Sequence, residues 1–173
     1  GSRWEMAENY GRRVALAAAH LARAIHTRPV EDFHYAARTV ELPAPQAAPG
    51  FQEITGDEYQ IAEEELNRLL TVMFPGQAPL CALRINEFAL LTFPGEPVCA
   101  IGLAVKDAFR EAGVRYPAVA PLTNDLVGYI LTEDQYRAGG YEVTTSFYGP
   151  RLGPLLTAEA RQLARATAKA PRA

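Results

Sequence analysis

The segment Phe93-Pro94-Gly95-Glu96-Pro97 places a carboxylate between an apolar run and a helical pattern. Pro-Gly turns the chain, and Pro97 suits a first helical position. A glutamate there feels the positive end of the helix dipole, which favours its ionised form. An ionised carboxylate in that place serves as a metal ligand, as an anchor for a cation, or simply as a cap for the helix. In open α/β sheets ligand sites form beyond the carboxyl ends of strands, and Glu96 follows such an end. A second zone starts at Asn124-Asp125-Leu126-Val127-Gly128-Tyr129. From there, four tyrosines fall within 20 residues: Tyr129, Tyr136, Tyr141 and Tyr148. Phenols bind metals when deprotonated and donate hydrogen bonds to an oxyanion. They also pack with the hydroxyl turned to water. Three histidines, His20, His26 and His34, have no HxxxH or HxH spacing, and Cys81 and Cys99 each sit in apolar surroundings as buried thiols. A metal site built from this chain alone is hard to assemble.

The elements that must position these residues are legible as periodicities. Tyr10, Val14, Ala17, Ala18, Leu21 and Ile25 share one face of a helix from Trp4 to Ile25. Alternation predicts a strand over Ala37–Leu42, followed by a Pro/Ala-rich loop. A helix opens at Thr55, where Thr55-Gly56-Asp57-Glu58 fits a capping box, and ends at Pro75-Gly76. Its Glu63-Glu64-Glu65 run reads as a solvated face. Strands follow at Cys81–Ile85 and Phe88–Phe93, joined by an Asn86-Glu87 turn. FALLTF is apolar almost throughout, the pattern of a strand buried on both faces. A helix over Pro97–Ala112, short strands at Val119–Leu122 and Leu126–Leu131, and a sparse terminal helix over Thr157–Ala168 complete the reading. The class is α/β: a layered, mixed sheet flanked by helices, with the Trp4–Ile25 and Pro97–Ala112 helices packed on it. Residues 1–156 form the body and 157–173 a terminal helix with a fraying tail.

Composition narrows the function. The chain has 173 residues, 49% hydrophobic and 21% charged, ordinary for a globular protein. Seventeen basic against 20 acidic residues give a net charge of −3, which argues against a nucleic-acid partner. No apolar run is long enough to span a membrane. The expectation is a soluble protein, secreted or periplasmic if a preceding segment carries a signal.

FPGEPVCAIGLAVKDAFREAG and LTNDLVGYILTEDQYRAGGYEVTTSFYGP together resemble the later part of the neutral/alkaline (non-lysosomal) ceramidase family. The shared features are a Gly-Glu turn after a strand, an Asn-x-x-x-x-Tyr motif, and Tyr-Glu leading to Tyr-Gly-Pro. They fall here on Gly95-Glu96, on Asn124 to Tyr129, and on Tyr141-Glu142 to Tyr148-Gly149-Pro150. The resemblance runs from Trp4 to Leu156 and is strongest from Leu83 to Pro150. It implies zinc-dependent cleavage of the N-acyl bond of ceramide or a related N-acyl lipid. By the same resemblance Glu96 and Tyr129 are zinc ligands, and Tyr141 stabilises the oxyanion. The family's two zinc histidines lie in segments before this chain's first residue, and none of its three histidines matches them. The chain is therefore expected to be the C-terminal portion of a ceramidase-like catalytic domain, with the N-terminal part of the same enzyme as its partner. The rival reading is a non-catalytic ceramidase-like module that binds a lipid or a partner.

Overall fold

The computed structural model describes residues 1–51, 53 and 60–170. In chain order the elements are α1 (Arg3–Arg23), β1 (Phe33–Glu41), α2 (Glu63–Met73), β2 (Gln77–Ile85), β3 (Phe88–Thr92), β4 (Glu96–Pro97), α3 (Cys99–Glu111), β5 (Tyr116–Ala120), β6 (Tyr129–Ile130), α4 (Glu133–Ala138), α5 (Tyr141–Thr144) and α6 (Leu152–Lys169). The capping box read at Thr55–Glu58 lies outside the described residues.

The chain divides into two compact units, Gly1–Val30 and Glu31–Ala173. The first is the helix α1. Ser2 caps it reciprocally: the Glu5 N–H donates to Ser2 Oγ at 3.2 Å, and the Ser2 N–H donates to Glu5 Oε2 at 2.7 Å. The helix forms as its period predicts, but none of its residues is buried. Tyr10, Val14, Leu21 and Ile25 are each more than half exposed.

The second unit is built on a four-stranded mixed sheet in the order β1-β2-β3-β5. β1 runs antiparallel to β2, β2 antiparallel to β3, and β3 parallel to β5. The β2–β3 hairpin turns at Asn86, which takes a left-handed φ of 51°. Its Oδ1 accepts the N–H groups of Glu31 and Asp32, tying the start of β1 to the turn. A parallel pair needs a crossover, and α3 supplies it between β3 and β5. α3 and α6 pack on each other and on one face of the sheet. That layer is the core: Leu80, Ala82, Ala89 and Leu91 from the sheet meet Ile101, Val105 and Phe109 of α3 and Leu152, Leu156 and Leu163 of α6. Full burial of each large side chain contributes about 1.5–3 kcal/mol.

Three expectations change here. The terminal helix starts at Leu152 rather than Thr157, and its inner face is a main wall of the core. Its last turn is held by Arg84, which is buried on β2. Arg84 Nη1 donates to Thr167 O and Ala168 O, while Nη2 donates to Ala170 O and to Asp32 Oδ1. FALLTF is covered on one face only. Ala89, Leu91 and Phe93 are fully buried, while Phe88 is 38% exposed. The uncovered face continues across the sheet: Phe33 and Tyr35 of β1 and Tyr116 of β5 are each more than half exposed, and Leu83, Ile85 and Leu90 are half-buried. The cysteines are also less enclosed than their apolar neighbours suggested, Cys81 being half-buried and Cys99 exposed.

Candidate functional site

β3 ends at Thr92, and the chain beyond it is pinned strand by strand. The Phe93 N–H donates to Ala120 O at 2.8 Å and the Thr123 N–H to Phe93 O at 2.9 Å. The Leu122 N–H donates to Gly95 O at 3.0 Å and the Val127 N–H to Pro94 O at 2.7 Å. These bonds deliver Glu96 into a short parallel ladder in which Glu96 pairs with Tyr129 and Pro97 with Ile130. The Glu96 N–H donates to Gly128 O and the Val98 N–H to Ile130 O, both at 3.0 Å.

Two glycines permit this approach. A Cβ on Gly95 would lie 2.4 Å from Gly128 O, and a Cβ on Gly128 would lie 2.4 Å from Thr145 O. Gly128 also has a φ of +78°, a conformation that L side chains rarely adopt. On its other side β6 is fastened to the segment before Tyr148: the Ser146 hydroxyl donates to Tyr129 O at 2.9 Å.

The sequence-derived residues therefore meet. Glu96 and Tyr129 are ladder partners, which places their backbones one strand spacing apart, about 4.8 Å. The Tyr141 ring, at the start of α5, lies edge-on to the Tyr129 ring with centroids 6.1 Å apart. Tyr141 is 71% exposed. Tyr136 packs beside Tyr129 in the small cluster around Val143 and Leu131. Tyr148 is buried in the core, and its hydroxyl donates to Pro75 O at 2.7 Å. Those two tyrosines are structural.

The structure corrects one feature of the Glu96 junction. Pro97 is in β4, not at a first helical position. The N-cap of α3 is Val98, and no side chain bonds there. The reading of Glu96 as a helix cap falls away, and with it a structural employment for its carboxylate.

The site is electronegative. Removal from water pushes the Tyr129 phenol above its ordinary value, and Glu96, Tyr141 and Glu142 push it the same way. Glu142 is the residue that the chemical reading passed over, although it directly follows Tyr141. Asn124 is a second. Its left-handed φ of 72° turns the chain ahead of β6, and its Nδ2 donates to Cys81 Sγ at 3.4 Å. A cation among these groups would be favoured and would draw the phenol toward its ionised form. One carboxylate and one phenol in register supply two oxygen donors of the kind zinc accepts, and a four-coordinate site needs more. Among the described residues no three His, Cys, Asp or Glu side chains group to hold a metal. No helix among them is long and apolar enough to cross a membrane.

No family model matches the chain. An 83-residue stretch, 44% of the chain, is 32% identical to neutral ceramidase 3 of Arabidopsis thaliana and spans 11% of that protein. An 80-residue stretch is 31% identical to the neutral ceramidase of Pseudomonas aeruginosa and spans 12% of it. The crystal structure of neutral ceramidase from Pseudomonas aeruginosa superposes with a TM-score of 0.61 over 80% of this chain and 29% of that one, at 18% identity. That superposition establishes the fold, and the two sequence matches establish kinship over a limited stretch. Over that stretch this chain is similar to the neutral ceramidases, and its fold is that of one part of a ceramidase chain.

Proposed function

We propose that this chain is the later part of the catalytic domain of a zinc-dependent amide hydrolase acting on the N-acyl bond of ceramide or a related N-acyl lipid. The observation that carries the reading is the register setting Glu96 beside Tyr129, with the Tyr141 ring 6.1 Å from that of Tyr129. Glu96 and the Tyr129 phenol hold zinc through oxygen, and the remaining ligands are histidines from the preceding part of the polypeptide. Zinc, when bound, polarises the amide carbonyl and acidifies water. The chain's own contribution is positional. The two glycines and the ladder fix the donor pair, and the hydroxyl of the exposed Tyr141 would donate a hydrogen bond to the carbonyl oxygen as charge grows there.

The uncovered sheet face, with Phe33, Tyr35, Phe88 and Tyr116 in the open, is an apolar surface of the kind that soluble proteins cover. The preceding part of the polypeptide packs on it in this reading. The second reading, a non-catalytic ceramidase-like module that binds lipid or a partner, draws on the two-donor set alone.

Zinc analysis separates the two. The chain alone is expected to hold zinc weakly. Co-produced with the preceding part of the polypeptide, it is expected to carry stoichiometric zinc and release fatty acid from ceramide, both lost in Glu96→Ala. Ceramide binding without zinc or turnover favours the module. A combined protein whose zinc and turnover ignore Glu96→Ala refutes the enzyme reading.

A further inference from the structure

A cavity of about 320 Å³ opens between α3, α6 and the start of α4. This is within the range of small-molecule sites, about 300–1,000 Å³. Its walls are mostly apolar, with Ala100, Ile101 and Ala104 on α3 facing Pro154 and Ala158 on α6. Two of its polar groups are charged, Glu133 and Arg161. Glu133 is already engaged by Arg137. Arg161 is not: its Nε is buried without a hydrogen-bond partner, and no carboxylate pairs with it among the described residues. The nearby arginines are paired. Arg165, one turn further along α6, pairs with Glu111 at 2.9 Å, and Arg38 pairs with Glu159 of the same helix.

Arg161 thus lines the cavity half-buried, with its charge matched by no carboxylate, and an acceptor entering the cavity would supply that match. The acceptor must be anionic and must bring apolar matter with it, because alanine, isoleucine and proline line the space. One guanidinium matches one planar monoanion, through its fork of parallel donors. The first turns of α3 and α6 border the cavity, neither has a side-chain cap, and their dipoles add to the attraction for negative charge. We propose that the cavity binds the carboxylate and the first methylenes of a fatty acid, with Arg161 as the anion's partner. The assignment does not rest on the roles given to Glu96 and Tyr129.

The test is calorimetric titration of the 173-residue chain with decanoate and with 1-decanol, below their aggregation concentrations. Decanoate is expected to bind saturably at one site, at least ten-fold tighter than decanol. Arg161→Gln is expected to remove that preference. Ala104→Phe, which fills the cavity from α3, is expected to abolish binding of both. Equal binding of decanoate and decanol by the unmodified chain overturns the proposal even if both variants fail to fold. Decanoate binding that survives both variants in folded protein overturns it as well.

Discussion

Replacing Gly128 by alanine separates the geometry of the site from mere proximity in the chain. The substitution meets two obstacles. Gly128 has a φ of +78°, and a left-handed residue with a Cβ costs about 1–2 kcal/mol. The new Cβ also lies 2.4 Å from Thr145 O. That oxygen is backbone and accepts the Tyr129 N–H at 3.3 Å, so it cannot swing aside as a side chain would. The segments must separate, and overpacking of this kind costs about 1–3 kcal/mol. The stiffer unfolded chain of the variant returns about 0.4–1 kcal/mol. The expected net loss is about 1.5–4 kcal/mol, or a melting point lower by roughly 3–16 °C for a domain of this size. Gly113→Ala is the control: its φ of +91° carries the conformational cost, but nothing lies within 4 Å of the new Cβ. Its expected loss is about 1 kcal/mol. Gly95→Ala isolates the clash, 2.4 Å from Gly128 O, in a backbone that is not left-handed. Urea unfolding by linear extrapolation ranks the three. Cross-relaxation between the Tyr129 and Tyr141 rings reports the site itself. If Gly128→Ala is no less stable than Gly113→Ala and keeps the ring contact, the close approach does not set the site.

Three further outcomes are expected. Arg84→Met removes the buried guanidinium that faces Asp32 and three carbonyls at the end of α6; breaking a buried pair costs about 3–5 kcal/mol, readable as a lower urea midpoint, and a loss under about 1 kcal/mol rejects the clamp. Burial pushes the Tyr148 phenol above its ordinary value, so the fold holds the neutral form; its contribution is complete below about pH 10 and is lost as pH climbs through the raised value. The stability gap between the native chain and Tyr148→Phe should therefore narrow from pH 9 to 11, and a gap that widens contradicts the assignment. In the zinc-loaded combined protein, Tyr141→Phe should keep the metal and lose about 10²–10³ in kcat, the usual effect of deleting one oxyanion donor, whereas a normal kcat removes Tyr141 from the mechanism.

The fold was legible where one local signal dominated. The α1 period, the β2–β3 hairpin and the inner face of α3 follow from spacing alone, because each pattern is regular over its whole length. It was illegible where distant chain decides. FALLTF carries apolar residues at both parities, but no described element of the second unit lies over Phe88 and Leu90, so composition could not distinguish a covered face from a bare one. α6 reads as sparse because alanine fills its core positions: Ala160 and Ala164 are fully buried and lie close against the sheet layer. Small residues at a tight interface look like weakness in a hydrophobicity pattern.

The site shows the same division. Tyr129 and Tyr141 could be singled out by type and, through the family resemblance, by role, but their meeting with Glu96 depends on hydrogen bonds that no local pattern encodes. Pro97 following Glu96 suggested a helix start; the structure instead uses Pro97 in a parallel pair, where its missing N–H costs nothing because the bonds run from Glu96 N and Val98 N. That choice frees the Glu96 carboxylate from capping duty. It also explains why Gly95 and Gly128 flank the pair: each removes a Cβ where one backbone lies against another. What looked like a turn followed by a capped helix sets Glu96 and Tyr129 side by side across a two-stranded parallel pair.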